Sequence, residues 1–276
     1  MPLDKYKQKR NFQKTPEPAG SLVASRKAAD KKTGLFFCVQ KHLASHLHYD
    51  FRLEHNGVLL SWAVPKGPSL DPSIKRLAMH VEDHPVEYGD FEGVIPEGYG
   101  AGIVMLWDQG TWTPQSDDVD AALKKGDLKF TLDGYKLKGS WVLVKTGGRY
   151  PGGGDRSWLL IKHKDEWAGE VDITAFAPLS VKSEGDLADI LAGGDPEIWI
   201  SNRPAQGGET GAMFQKIVER ALEMKGNSSA GSVGSGGSEG SRRSKSSGSK
   251  SSRSSRPQSG AASTAKKIPA AKRRTK

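Results

Sequence analysis

The segment Leu47-His48-Tyr49-Asp50-Phe51-Arg52-Leu53-Glu54 alternates apolar and polar residues without a break. In a strand, successive side chains point to opposite faces. Leu47, Tyr49, Phe51 and Leu53 then enter a core, while His48, Asp50, Arg52 and Glu54 share the other face. Side chains two apart on one face are close enough to share a ligand. A His and an Asp there can bind one metal ion, and an Arg two residues on can grip an anion held by that metal. His42 lies six residues before His48, an even offset, so a short turn would return it to the same site. His42, His48 and Asp50 form a set of two imidazoles and one carboxylate without sulfur. Such a set suits Mn²⁺, Zn²⁺ or Fe²⁺ and leaves positions open for water and substrate. The same pattern also fits the ordinary polar face of a half-exposed strand.

A second segment alternates in the same way. In 76–84, Leu77, Met79 and Val81 are expected to face the core, and Arg76, His80, Glu82 and His84 the other side. If both polar faces line one cavity, its charge is too great to bury without a ligand or a metal. A second metal site at His80, Glu82 and His84 competes with that reading, as does a solvated face. Pro85 ends the regular strand and puts His84 at a rim, where reacting groups often sit. Lys66 is either a phosphate contact or a surface-turn residue beside Gly67-Pro68. Cys38 shares its alternation face with Gln40 and His42, has no aligned base, and reads as a buried structural thiol. Trp62, Trp107, Trp112, Trp141 and Trp158 read as core or barrel-end packing, with base stacking as the competing use. The glycine run 148–156 lacks the strand–loop–helix context of a phosphate-binding loop and reads as a hairpin loop.

The elements that must position these residues are mostly strands. LFFCVQ, HLHYDFRLE and GVLLSWAV are expected strands, and Asn56-Gly57 between the last two is a strong hairpin signal. KRLAMHVED, AGIVMLWD, LKFTLDG, YKLKGSWVLVKT and SWLLIKHK follow as further strands. Residues 116–125 are expected to form one short helix with Ser116 as N-cap. Many short strands separated by turn residues imply a mainly β, compact, antiparallel barrel-like or sandwich body. Residues 1–34 read as an extended N-terminal arm, 35–180 as the β domain and 181–225 as a helical extension. In 209–225, Met213, Phe214, Ile217, Val218, Ala221 and Leu222 form one apolar face, expected to dock on the barrel.

The chain has 276 residues, a formal net charge of +9 and one cysteine. Its 36% hydrophobic content and mean hydropathy of −0.57 are lean for a chain that folds throughout. One cysteine excludes an internal disulfide framework and fits a reducing compartment. The N-terminus has no secretory signal, and no run approaches a membrane span. Residues 226–276 hold 12 Lys+Arg and one acid, a net of +11, whereas 1–225 hold 29 basic and 31 acidic residues, a net of −2. That Ser/Gly-rich tail has no Trp, Phe, Tyr, Leu or Met to bury, so it is expected to be disordered. Its basic clusters suit a flexible arm that binds nucleic-acid phosphates, although a solubilising tail has the same composition.

QKHLASHLHYDFRLEHNGVLLSWAVPKGPS, KRLAMHVEDHPVEYGDFEGVIPEGYGAG and VMLWDQGTW resemble the 3′-phosphoesterase domain of bacterial ATP-dependent DNA ligase D. LKGSWVLVKT and WLLIKHKDEWA are similar to that domain's last strands, so the resemblance covers roughly residues 5–168. With no ligase or polymerase segment after it, the chain looks like the standalone form of that domain. The resemblance implies a small enzyme that trims a 3′-terminal ribonucleotide and removes the remaining 3′-phosphate. The product is a 3′-hydroxyl for end joining. It implies a divalent metal, Mn²⁺ by preference with Zn²⁺ or Co²⁺ possible, on His42, His48 and Asp50. Arg52 and His84 would hold the scissile phosphate, Tyr88 matches a further active-site position, and Gln40, Lys66, Arg76 and Glu82 fall at supporting, substrate-binding positions. The implied partners are DNA or RNA-terminated DNA 3′ ends, a DNA ligase and Ku-like proteins, with the chain itself a monomer. Asn11 in KRNF replaces a family acid, and IPEGYGAG looks one residue short in a loop expected to lie outside the metal triad. A non-catalytic nucleic-acid-binding module or scaffold with a structural metal remains the alternative.

Overall fold

The alternation read from the sequence becomes strands wherever one face meets a core. The computed structural model describes residues 3–20, 34–147, 154–194 and 208–230. The tail beyond Ala230, residues 148–153 of the glycine run and residues 21–33 of the arm lie outside them. The strands are β1 (Leu35–Leu43), β2 (Leu47–His55), β3 (Val58–Val64), β4 (Arg76–His80), β5 (His84–Pro85), β6 (Gly93–Ile95), β7 (Gly102–Pro114), β8 (Asp127–Gly134), β9 (Lys138–Lys145) and β10 (Ser157–Lys162). Their order is β1-β2-β3-β4-β10-β9-β8-β7, and β7 pairs back onto β1. These antiparallel pairings close a barrel of eight strands, with β5 added on β3 and β6 on β7. Asn56 and Gly57 both have positive φ, 49° and 78°, and the pairing ends at His55 opposite Val58. This is the turn that suits the twist of two adjoining strands.

Phe37 and Val39, then Tyr49, Phe51 and Leu53, then Trp62 and Val64 line the inside of the barrel, as the alternation of β1 and β2 required. Trp62, Trp107, Trp112, Trp141 and Trp158 are all buried. Each indole removed from water is worth roughly 4–6 kcal/mol of gross transfer free energy. The polar side of β1–β3 is therefore the outer wall of the barrel.

Three expectations for the elements are corrected. In β4 the parity is reversed: Ala78 is the buried core residue, whereas Leu77 and Met79 are only partly buried. Ala78 pairs with Trp158, and its small side chain leaves room for the contact between Trp62 and Trp158, whose rings lie 6.0 Å apart. β4 also stops at His80, and the chain re-enters the sheet only at His84. The helix α2 (Val119–Lys125) follows Asp118, whose carboxylate accepts from the Ala121 amide at 2.8 Å; Ser116 instead bonds the Asp118 backbone. The arm is not extended throughout: Asp4–Gln8 form a helix, α1, whose Tyr6 is fully buried.

Further on, α3 (Ile173–Phe176) and α4 (Leu187–Gly193) are short, and a long helix spans Gly208–Ala230. The long helix runs past the expected boundary at 225 and packs against α4 and the core through Met213, Phe214, Ile217, Val218 and Ala221. Leu222 of the expected apolar face stays 39% exposed. Among the described residues, no helix is long and apolar enough to cross a membrane.

Asp108 on β7 is fully buried and accepts from the backbone amides of Lys136 at 3.0 Å and Leu137 at 2.8 Å, which fixes the β8–β9 turn. Burial raises its carboxyl to about 6, against these hydrogen bonds. Its unfolded value is about 3.9, so between the two values the folded chain binds more protons than the unfolded chain. Its contribution is therefore largest below about pH 4 and is lost as the pH rises to about 6. Asp108→Asn keeps one acceptor and does not titrate. Urea midpoints from pH 4 to 7 are expected to show a decline on the order of 2 kcal/mol in the wild type that the variant lacks.

Candidate active site

On the outer wall of the barrel, β1 and β2 pair so that Gln40 lies opposite Asp50 and His42 opposite His48. The turn between Leu43 and Leu47 therefore does return His42 to the face of His48. His42 Nδ1 is 3.5 Å from Asp50 Oδ2, and His48 Nε2 is 3.7 Å from Asp50 Oδ1. Potential ligand atoms of the three residues lie within 4.8 Å of one another, the one such group among the described residues. The second nitrogen of each imidazole is already engaged. His42 Nε2 is 2.9 Å from the Gly100 carbonyl, and His48 Nδ1 is 2.9 Å from the His46 carbonyl. A carbonyl only accepts, so these nitrogens carry protons, which leaves the two nitrogens facing Asp50 as the ones that could ligate a metal. Two oriented imidazole lone pairs and one carboxylate are a donor set that fits a divalent cation.

The charges favour the same state. Burial works to raise the Asp50 carboxyl, but the Arg52 guanidinium, with His48 and His42, holds it well below the usual carboxylate range. Burial lowers His42 despite its contact with Asp50, so the imidazole stays neutral. Metal ligands need this state: an ionised carboxylate and unprotonated imidazoles.

Arg52 is almost fully buried. It donates from Nε to Gln40 Oε1 at 2.8 Å, from Nη1 to Ser61 Oγ at 2.8 Å and from Nη2 to Asp50 Oδ2 at 3.1 Å. A guanidinium has five N–H donors. Three are spent on the scaffold, and two remain for an anion. Gln40 donates to the carbonyls of Tyr88 at 2.9 Å and Phe91 at 2.8 Å, tying Arg52 to the segment that follows β5. Tyr88 is buried, with its ring 4.9 Å from the Arg52 guanidinium carbon and 4.9 Å from the His84 ring. Burial raises its hydroxyl well above the usual value.

His84 is not at a rim. It is 4% exposed, because β5 pairs it with Leu59 of β3 and the arm covers it. His84 Nδ1 donates to the Glu82 carbonyl at 2.8 Å, and Nε2 accepts from Arg10 Nη2 at 3.3 Å. Burial, Arg52 and Arg10 push this imidazole well below its ordinary value, so it is neutral. Glu82 binds the arm instead of an open face, with Lys9 Nζ at 3.0 Å and Arg10 Nη1 at 3.5 Å. Arg10 is also held by Glu17 at 2.8 Å and lies 3.9 Å above the Tyr6 ring.

These side chains surround one cavity of about 260 Å³, lined by His42, His48, Asp50, Arg52, His84, Tyr88, Glu82 and Arg10. Tyr6, Phe36, Cys38, Leu59, Tyr88 and Leu106 seal the outer wall beside it. Lys66 and Arg76 do not line it. Lys66 is exposed in the turn after β3, and Arg76 opens β4 opposite Leu160 with a buried Nε that lacks a partner among the described residues. His80 lies against Trp62, ring centres 5.2 Å apart, away from His84, so the competing triad of His80, Glu82 and His84 does not form.

The sequence reading missed Arg10, Ser61 and the Gly100 carbonyl. Arg10 stands 74 positions before His84. The shortened loop, expected to be remote, touches the triad directly through Gly100. Asn11, at the position of the missing acid, accepts from the Gln13 amide at 3.1 Å within a local turn.

Residues 40–145 match the family described as the DNA Ligase D 3′-phosphoesterase domain. The chain is 51% identical over 215 residues to the multifunctional non-homologous end joining protein LigD of Pseudomonas aeruginosa, covering 76% of this chain and 24% of that protein. It is 42% identical over 194 residues to the protein of the same name from Mycobacterium bovis, covering 69% of this chain and 23% of that protein. For the LigD protein of Mycolicibacterium smegmatis the identity is 38% over 196 residues, 69% of this chain and 24% of that protein. The chain thus spans about a quarter of the length of the relatives it matches.

Proposed function

The chain belongs, through residues 40–145, to the DNA ligase D 3′-phosphoesterase family, and from that premise we propose that it heals DNA 3′ ends in a metal-dependent way. In this reading it removes 3′-terminal ribonucleotides and 3′-phosphates and leaves a 3′-hydroxyl for non-homologous end joining. One observation supports it above the others. Asp50 gathers two imidazoles of fixed tautomer and one buried guanidinium at the floor of a single cavity. Such a floor suits a metal ion next to a bound phosphate.

His42 Nδ1, His48 Nε2 and Asp50 would hold the cation, Mn²⁺ in our reading with Zn²⁺ or Co²⁺ as substitutes, which supplies charge neutralisation at the phosphate. Arg52 directs its two remaining N–H donors at non-bridging oxygens. Gln40 and Ser61 hold that fork in place, so little rotamer freedom is lost on binding. His84 cannot serve as an acid in the state described, because Nε2 has no proton and accepts from Arg10. A phosphate entering beside it offsets the positive field of Arg52 and Arg10. His84 then takes up a proton from solvent on Nε2 and can give it to the leaving oxygen as that P–O bond breaks and water forms the new one, the water's proton passing to the released phosphate or to solvent. Tyr88 walls the site against bulk water. Lys66, exposed in the turn after β3, and Arg76, at the start of β4, lie outside the cavity and are given no part in the chemistry. The protein works as a monomer in the cytoplasm, at the nucleoid, on ends shared with a DNA ligase and Ku-like proteins.

The test is a primer-template ending in one 3′-ribonucleotide or in a 3′-phosphate, incubated with Mn²⁺ and with a chelator. Conversion to a 3′-hydroxyl in the first and none in the second is expected. No conversion with any divalent ion, from folded protein, would leave a nucleic-acid-binding module in its place.

A further inference from the structure

Tyr99 is 49% exposed and forms part of the wall of three adjoining hollows. One is the cavity of about 260 Å³, and another is a groove of about 400 Å³ that shares Val81, Glu82 and Tyr99 with it. Gly98 and Gly100 on either side have φ of +88° and +81°, a conformation that L side chains rarely adopt. These two residues let the loop turn the ring outward. The ring is held from beneath: Lys9 Nζ lies 4.2 Å from its centre and donates to its hydroxyl at 3.2 Å. The next residue, Gly100, carries the carbonyl that orients His42, so the ring has a fixed place relative to the triad.

The groove beside Tyr99 is lined by Lys5 of α1 and Arg156 just before β10, together with Lys9, His80, Glu82 and Asp83. Among the described residues, neither Lys5 nor Arg156 has a carboxylate at ion-pair distance. Glu82, the other acid there, is already neutralised by Lys9 and Arg10. An anion pocket, a half-exposed aromatic ring at its lip and two spaced cations beyond suit a polynucleotide end better than a lone phosphate. Every base offers a π-face to an aromatic side chain, and each further phosphate requires a cation.

We propose that Tyr99 is the platform on which the base of the terminal nucleotide stacks, and that the groove between Lys5 and Arg156 takes the phosphates of the strand leading to that end. This rests on the end-healing reading and names the part of the substrate that the cavity does not hold.

The test compares two short single strands ending in a 3′-phosphate, one with a normal terminal base and one with an abasic terminal sugar. Binding to the full chain is measured in chelator, and KM and kcat in Mn²⁺. Wild type is expected to bind the base-bearing end roughly tenfold tighter than the abasic one. Tyr99→Ala should lose that preference, with Mn²⁺ binding retained and the loss carried mainly by KM. Tyr99→Phe, which keeps the ring, should restore it. Lys5→Gln combined with Arg156→Gln should weaken the strand but not a 3′-phosphorylated mononucleoside. A preference unchanged in Tyr99→Ala would overturn the stacking role, and Tyr99→Phe as poor as Tyr99→Ala would make the residue a mere prop for Lys9. Equal binding of the strand with and without the two cations would overturn the groove. Because binding is read without metal, these outcomes stand even if wild type turns over neither end, a result that would instead sink the enzymatic reading.

Discussion

Asp50→Ala is expected to abolish turnover and metal retention together and to lower stability by about 3–5 kcal/mol, the usual cost of breaking a buried ion pair. The size follows from what Asp50 touches. It is the carboxylate that meets Arg52, and Arg52 is 1% exposed. Removing it leaves a buried guanidinium with only the neutral partners Gln40 and Ser61. His42→Ala and His48→Ala should also lose metal and activity, but at a smaller stability cost, because each removes an imidazole whose outer nitrogen bonds only a carbonyl and leaves the Asp50–Arg52 pair in place. Asp50→Asn separates the two effects. The amide can still accept from Arg52 and should recover part of the stability, but not the metal. The acid limb of the stability profile should report the same residue. A carboxyl held below its unfolded value contributes fully above about pH 4 and loses that contribution as the pH falls further. Metal stoichiometry after dialysis, urea midpoints and end-conversion rates on one set of proteins give all three readings. Wild-type metal content in Asp50→Ala would remove the triad as the metal site.

Arg52→Ala is expected to slow end conversion by about 10²–10³-fold, the typical cost of removing one preorganised donor aimed at developing charge, while the metal stays bound. Arg52 is not among the triad, so its removal leaves the three ligand atoms in place. Arg52→Lys should not restore the rate. An ammonium has no planar fork and cannot satisfy Gln40, Ser61 and Asp50 while keeping two donors for phosphate. A second signature follows from charge. Without Arg52, Asp50 loses the cation that most favours its ionised form. A bound divalent cation then becomes the main compensation, so Mn²⁺ should raise the melting temperature of Arg52→Ala by more than that of wild type. Single-turnover rates and melting curves with and without Mn²⁺ check both points. Loss of metal from Arg52→Ala would mean that Arg52 holds the triad together and does not serve the phosphate.

Half of the site is legible in the sequence. β2 alternates for eight residues, so its polar side, including His48, Asp50 and Arg52, followed from the pleat alone. The even offset of His42 and the Asn-Gly turn completed the three-strand ribbon that carries Gln40, His42, Asp50, Arg52 and Ser61. The same logic failed one strand later. Leu77, Met79 and Val81 alternate as well, yet Ala78 is the core residue, because the space there is already occupied by Trp62 and Trp158. Alternation says that two faces differ. It does not say which one a crowded interior will accept.

By itself, the sequence determined the eight barrel strands but not β5 or β6, the tight turn at Asn56-Gly57, the polar wall of β1 and β2 and the metal-type donor set on it. All of these depend on residues within a few positions of one another, where local sterics and side-chain period act directly. Only the tertiary structure decided that this wall is buried. The polar face of β2 lies outside the barrel and would be wet. Helix α1 and the segment around Arg10 cover it from one side, and the chain after β5 covers it from the other. That cover holds His84 neutral, makes Asp50 and Arg52 depend on each other, and brings the Gly100 carbonyl onto His42. Desolvation acts through space on whatever lies near, and the neighbours here come from positions 10, 42, 50, 84 and 100 of the chain. No local pattern holds that information, because it arises only when strands far apart in sequence close the barrel and the arm folds back across it.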